Sequence, residues 1–302
     1  MSEIILHHYE RSPFSEKVRL VFGLKGIDWW SVTIPAWMPK PDLVPLTGGY
    51  RKTPVMQIGA DIYCDTRAIL REIDRRFPKP ALYDAGGAEL VAAWADGTFF
   101  TNAVGVTFGT LADGFPKELK DDREKFSGGR FNADRMNGQQ PALRAQFRAN
   151  VRWIEEAFAD GRDYILGKSP SVADFAVYHA LWFVIKNVRG ADFLAGCPCV
   201  KKWSERMTAL GHGVPAPLDA KEALAIARGA GPIDVAANAY DDPSGCRAGD
   251  RVTVAANDYG RDPVSGELRN IDDAEIVIRR HEPLVGDINI HFPRVGFDVA
   301  AA

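Results

Sequence analysis

The sequence predicts an α/β unit, then an all-helical unit, then a small all-β extension, and three observations carry that prediction. Over the first 80 residues, short apolar runs alternate with helical stretches. From residue 88 to about 230 the apolar spacing is helical, with hardly any strand pattern; after residue 232, apolar and polar residues alternate between Gly, Asp and Pro turns. The boundaries that follow are 1–80, 86–230 and 232–302. A chain of 302 residues with 46% hydrophobic side chains is long enough for two or three domains and for cores that need neither disulfides nor metals.

Taken in order, "IILHHY" reads as a first strand. Val18, Val21, Phe22 and Lys25 then fall on helical spacing until Gly26 stops the helix. "WWSVT" reads as a second strand. A loop held by Pro35, Pro39, Pro41 and Pro45 leads to two β-rich runs around the turn Gly59-Ala60-Asp61, and a helix follows Asp65. The order is β-α-β, long loop, β-β-α. Helices are predicted over 88–107, 140–159, 172–187, 198–210 and 218–229. The polar stretch 111–140 between the first two is too long for a plain connection and reads as an embellished loop or a lid. In the extension, "GDRVTVAAND", "DAEIVIRRH" and "GDINIHFPRVGFDV" read as strands of a small β unit, open or barrel-like. The alternating Ile288, Ile290 and Phe292 predict one buried face, packed back onto the body rather than turned toward a partner.

Composition narrows the function. Lys plus Arg (37) nearly balances Asp plus Glu (40), and a net charge of −3 gives no footprint for nucleic acid. The opening "MSEIILHHYE" lacks the pattern of a secretory signal and no segment is apolar for long enough to span a bilayer, so a cytoplasmic protein without a membrane partner is expected. Cys64, Cys197, Cys199 and Cys246 form no CxxC pair and no spacing with histidine that suggests zinc. No metal, flavin or nucleotide site is expected. Cys197-Pro-Cys199 is expected to start a helix.

Three short motifs remain. Ser12 precedes the first helix, either as a simple cap or as a group holding a reacting atom at the helix's positive end. In Thr53-Pro54-Val55, a proline sits where a strand should start. It is either a trans edge-strand proline or a cis one that turns the Val55 backbone toward a cleft, where an extended peptide can pair with it. Asp65-Thr66 lies between a strand and a helix; it either caps that helix or offers N–H groups, a hydroxyl and a carboxylate to an α-amino acid head group.

Taken together, "SPFSEKVR", "YRKTPV" and "IYCDT", in that order within the first 70 residues, resemble the thioredoxin-fold domain of cytosolic glutathione transferases. The helical block resembles their second domain. "SVADFAVYHA" is similar to the capping box that opens a buried helix there, with Ser171 capping and Asp174 reaching back. The similarity covers roughly residues 1–210. It implies a thioredoxin-like glutathione-binding domain, an all-helical transferase domain and an extension of unknown role. It also implies glutathione as co-substrate, a small apolar electrophile and a homodimer. Ser12 would contact the glutathione sulfur, Val55 would pair with the cysteinyl part, and Asp65 and Thr66 would hold the γ-glutamyl end. Lys52 would attract the glycyl carboxylate, with Arg51 and Lys40 as weaker candidates. Thr53 and Pro54 would shape that segment.

A serine rather than a cysteine at position 12 disfavours mixed-disulfide chemistry and favours attack by an activated thiolate. Conjugation, dehalogenation, ether cleavage and isomerisation are not separated by sequence. Cys64 faces away from Asp65 along its strand and is read as core. Tyr9, Arg11, Phe14, Trp37, Trp94, Phe99 and Phe100 are either a wall for the electrophile or an inter-domain core. The competing reading is a non-catalytic glutathione-binding or protein-interaction module that uses the same scaffold, with the β extension facing the partner.

Overall fold

The computed structural model describes residues 3–190, 192–236 and 240–302. Strand β1 (Ile4–His8) leads into helix α1 (Pro13–Lys25), which ends where Gly26 takes φ 62°, a left-handed position that favours glycine. Strand β2 (Asp28–Thr33) and the short helix α2 (Val44–Thr47) follow. Next come β3 (Val55–Ile58), β4 (Asp61–Cys64) and α3 (Thr66–Arg76). The β-α-β and β-β-α order expected from sequence is present, with α2 as one turn inside the proline-rich loop.

The helical block begins with α4 (Ala88–Trp94) and α5 (Phe100–Thr110). The sequence reads these as one helix over 88–107; the structure separates them by a π-helical turn over Ala95–Phe99. The 111–140 stretch is itself helical, with α6 (Lys117–Phe126) and α7 (Ala133–Gly138). Helix α6 buries none of its residues, so it has no apolar stripe by which periodicity would reveal it. Helices α8 (Gln140–Ala157), α9 (Val172–Asn187) and α10 (Pro198–Ala209) match the expected positions. The carboxylate of Asp174 accepts from the N–H and hydroxyl of Ser171, from the Ile165 N–H and from the Trp203 indole, so the expected capping box also ties three segments of the block together.

Strand β5 (Val214–Pro217), unread in the sequence because two of its four residues are proline, precedes α11 (Ala220–Gly229). The extension contributes β6 (Arg251–Ala256), β7 (Val264–Ile271), β8 (Glu275–Glu282), β9 (Gly286–Pro293) and β10 (Phe297–Ala301). These strands do not close on themselves. They continue the first domain's sheet, giving ten strands in the order β10-β6-β7-β8-β9-β4-β3-β1-β2-β5, with β9 parallel to β4.

Alternation along the strands divides two cores. Ile4, Leu6, Met56, Ile58 and Tyr63 face α1, α3 and the helical block. Ile5, Val55, Ile62 and Cys64 face a second core completed by Ile288, Ile290, Phe292 and by Ala223 and Ala227 of α11. Cys64 is therefore a core residue, as the strand pattern predicts. A sheet covered on both faces explains why every residue of β1, β3 and β4 is buried.

Candidate functional site

Strand direction assembles the site. β3 is antiparallel to β1 and to β4, so the end of β1, the start of β3 and the end of β4 lie at one edge of the sheet. Val55 is opposite His7 on one side and Cys64 on the other. Ser12 follows β1, and Asp65 and Thr66 follow β4. Three motifs spread over 55 residues of sequence are thus brought to one place.

Ser12 is the N-cap of α1. Its Oγ accepts the Ser15 N–H at 3.2 Å and its own N–H donates to the Tyr9 carbonyl at 3.1 Å. A hydroxyl that accepts one bond keeps its proton to donate, and here it does so beside the positive end of a 13-residue helix. The Thr53-Pro54 bond is cis, the alternative that turns the following backbone. Asp65 is the N-cap of α3, its Oδ1 accepting the Arg67 N–H at 2.9 Å. Its φ of 77° makes it the one described non-glycine residue with positive φ. Such backbone costs of order 1–3 kcal/mol and persists where surrounding structure imposes it, commonly at binding sites.

Two residues that sequence reasoning did not select join these groups. The Lys17 ammonium, almost wholly buried on α1, donates to the Thr66 hydroxyl at 3.2 Å and pairs with Asp96 at 2.7 Å. Asp96 stands on the π-helical turn between α4 and α5, a local change of winding that re-aims one side chain. This triad joins α1, α3 and the helical block. The signal for it was a lone charge followed by glycine in the apolar run "VAAWADGTFF". His179 lies nearby, its Nε2 3.8 Å from Asp96; burial, reinforced by Lys17 against the pull of Asp96, lowers its pKa to about 4, so it is neutral at pH 7.

The aromatic candidates separate. Phe14 meets Phe100 edge-on at 4.7 Å and lies 4.7 Å from the His179 ring, forming a wall where the two domains meet. Trp94 stacks on Phe99, and Phe99 on Phe147, so this pair belongs to the helical core instead.

The basic candidates have partners inside the chain. Lys52 pairs with Asp258 at 2.5 Å and lies 4.2 Å from the centre of the Tyr259 ring. Arg51 pairs with Asp122 of α6 at 3.0 Å and lies over Phe126. Lys40 is buried and donates to the Arg51 carbonyl and the Thr53 hydroxyl. Burial, with repulsion from Arg123 and Arg51, brings its pKa down to about 7. Lys40 therefore braces the segment before Pro54.

His7 and His8 point to different partners, Gln57 and Ser31, and burial lowers their pKa values to about 4 and about 3, the latter helped by Arg19. Among the described residues, no group of three or more His, Cys, Asp or Glu is arranged to hold a metal ion. Among the same residues, no helix is long and apolar enough to cross a membrane.

Comparison with known proteins fits this arrangement. The glutathione S-transferase N-terminal domain family matches residues 6–81, and the glutathione S-transferase C-terminal domain family matches residues 137–206. A solved GST-like protein from Pseudomonas syringae is 39% identical, with each chain covered in full and a TM-score of 0.79. This chain belongs to the glutathione S-transferase family. Full coverage means that the family member from P. syringae shares the β extension as well as the two domains. A theta class glutathione S-transferase from Xanthomonas axonopodis pv. citri, solved with glutathione bound, shares the transferase fold at 14% identity and a TM-score of 0.52, over 68% of this chain and 92% of its own. FtsZ-localized protein A of Caulobacter vibrioides is 26% identical over 182 residues, which is 58% of this chain and 74% of that protein.

Proposed function

We propose that this member of the transferase family binds glutathione at the shared edge of β1, β3 and β4 and activates its thiol for attack on a small apolar electrophile. The observation that carries this reading is the convergence there of Ser12, Val55, Asp65 and Thr66. The Ser12 hydroxyl and the α1 N-terminus favour a thiolate over a thiol. Lowering the pKa by about two units from about 8.5 corresponds to roughly 3 kcal/mol. Val55 offers backbone for extended pairing, with Thr53 and Pro54 setting its approach. Asp65 and Thr66, at the N-terminus of α3, suit the ammonium and carboxylate of a γ-glutamyl group. Lys52 is the cation for the glycyl carboxylate. Phe14 and Phe100, backed by the buried His179 ring, are the wall facing the electrophile.

The test is an ultraviolet titration of the thiolate across pH with wild type and Ser12→Ala. Wild type should bind glutathione and form thiolate about two pH units below the free thiol, whereas Ser12→Ala should bind without that shift. Equal thiolate formation in both removes Ser12 from the mechanism.

A second reading, a protein-interaction module of low activity, is favoured by the similarity to FtsZ-localized protein A and by the internal pairing of Lys52 and Arg51. Absence of glutathione binding in the same titration supports it. A cytoplasmic homodimer, with the division into 1–80, 86–230 and 232–302, completes the proposal.

A further inference from the structure

Ser12 is 2% exposed, Val55 0% and Thr66 4%, so three of the groups assigned to glutathione are closed off from solvent, while Asp65 is half-buried. Two segments outside the transferase pattern hold the two cations, Arg51 and Lys52, that come just before Pro54 and Val55. One is the β6–β7 loop, where Asp258 holds Lys52 and Tyr259 covers its ammonium. The other is α6, where Asp122 holds Arg51 and Arg123 donates to the Ala36 carbonyl at 2.7 Å.

These segments are fastened to each other as well as to the first domain. Phe126 meets Tyr259 edge-on, the Gly260 N–H donates to the Phe126 carbonyl at 3.0 Å, and Arg130 donates to the Asp258 carbonyl at 2.6 Å. Gly260 has φ +59°, and a Cβ there would come within 2.1 Å of the Phe126 ring, so the joint requires glycine. At the other end of the site, Arg67 donates to the Val295 carbonyl in the β9–β10 turn.

We propose that the β6–β7 loop is an internal competitor for the thiol peptide, with Asp258 occupying the ammonium that would receive the glycyl carboxylate. The loop and α6 form one cover that lifts when the peptide enters. This inference rests on the glutathione reading above.

The chemistry supports exchange. A side-chain carboxylate and a peptide's terminal carboxylate are equivalent partners for an ammonium, and a tethered one competes at high effective concentration. The Asp258 side chain is about half exposed, so its pairing with Lys52 is weakened by solvent and is readily displaced. Affinity for the peptide is then reduced by the fraction of molecules held closed.

The test compares wild type with Asp258→Asn by calorimetric titration with glutathione. In parallel, the rate at which iodoacetamide labels a Ser12→Cys probe is read by peptide mass spectrometry in both backgrounds. Removing one partly exposed ion pair should tighten glutathione binding about two- to fivefold and speed labelling by a similar factor. The gain in affinity should vanish when Lys52→Met is already present. If wild type binds glutathione and Asp258→Asn binds it equally or more weakly, the competitor is overturned while the glutathione reading stands. If neither protein binds glutathione, labelling decides. Faster labelling keeps the cover and rejects the glutathione reading, and unchanged labelling rejects the cover too.

Discussion

Asp61 and Asp65 stand four residues apart at opposite ends of β4, and their surroundings differ in kind. Asp61 is buried and its carboxylate accepts three bonds: Asn289 and His291 donate to Oδ1 at 2.9 and 3.0 Å, and the Ile233 N–H donates to Oδ2 at 2.9 Å. Burial raises its pKa, but these donors outweigh burial and hold it below the usual carboxylate value. Asp65 is half-buried, sits in left-handed backbone, and spends one acceptor site on Arg67 out of the roughly four that a carboxylate offers. The difference separates a carboxylate that joins distant segments of the fold from one whose bond to Arg67 is a local helix cap. Asp61 fastens the β extension to the transferase sheet where β4 pairs with β9; Asp65 faces the site at the other end of the same strand.

The largest expected effect breaks the first member of this pair. Asp61→Ala leaves Asn289 and His291 without their buried acceptor and should cost about 3–5 kcal/mol, seen as a lower urea midpoint. A loss below about 1 kcal/mol would show that the seam contributes little. Asp65→Ala should act mainly on binding, weakening glutathione by about 2 kcal/mol as a charge-assisted contact is lost. Asp65→Gly sharpens the contrast. Relief of the positive φ should roughly offset the lost cap, each about 1 kcal/mol, leaving the melting temperature near wild type while affinity falls as in Asp65→Ala.

The smallest expected effect is the pH dependence of the seam. Burial lowers the pKa of His291, but hydrogen bonds to Asp61 and Glu275 outweigh it and the net shift is upward. A raised histidine contributes stability below its unfolded value near 6.5, lost as pH rises through the folded value. The lowered Asp61 contributes stability above about 3.9, lost as pH falls through its folded value. The pair should therefore add most between about pH 4 and 6.5. The stability difference between wild type and Asp61→Asn should peak in that window, and a difference that is flat across it would deny the coupling.

Much of the site was legible because its signals are local. Ser12 before a helix, Gly26 after it, the capping box at Ser171 and the Asp65 cap each depend on a few neighbouring residues, and the structure has all of them. Lys17 was not legible, because its burial depends on Asp96, 79 residues away on a π-helical turn whose winding no apolar repeat announces. Strand β7 was missed because Gly266 interrupts its alternation, and α6 because it buries no residue and carries only two apolar side chains, Leu119 and Phe126. Lys52 reads in the sequence as a free cation, and its partner is not legible there: a loop aspartate 206 residues later carries no mark that distinguishes it from a solvated one.

The sequence by itself determined the elements and their order, because helix and strand periods, caps and turn glycines act over a few residues. It also determined the family, through the order and spacing of short motifs. Tertiary structure alone decided that β9 lies parallel to β4 and makes one ten-stranded sheet, that Lys17 is neutralised by Asp96, and that Asp258 stands over Lys52. Those choices are made by pairing between groups far apart in the chain, where many aspartates and many strand edges compete and only the packed whole selects one.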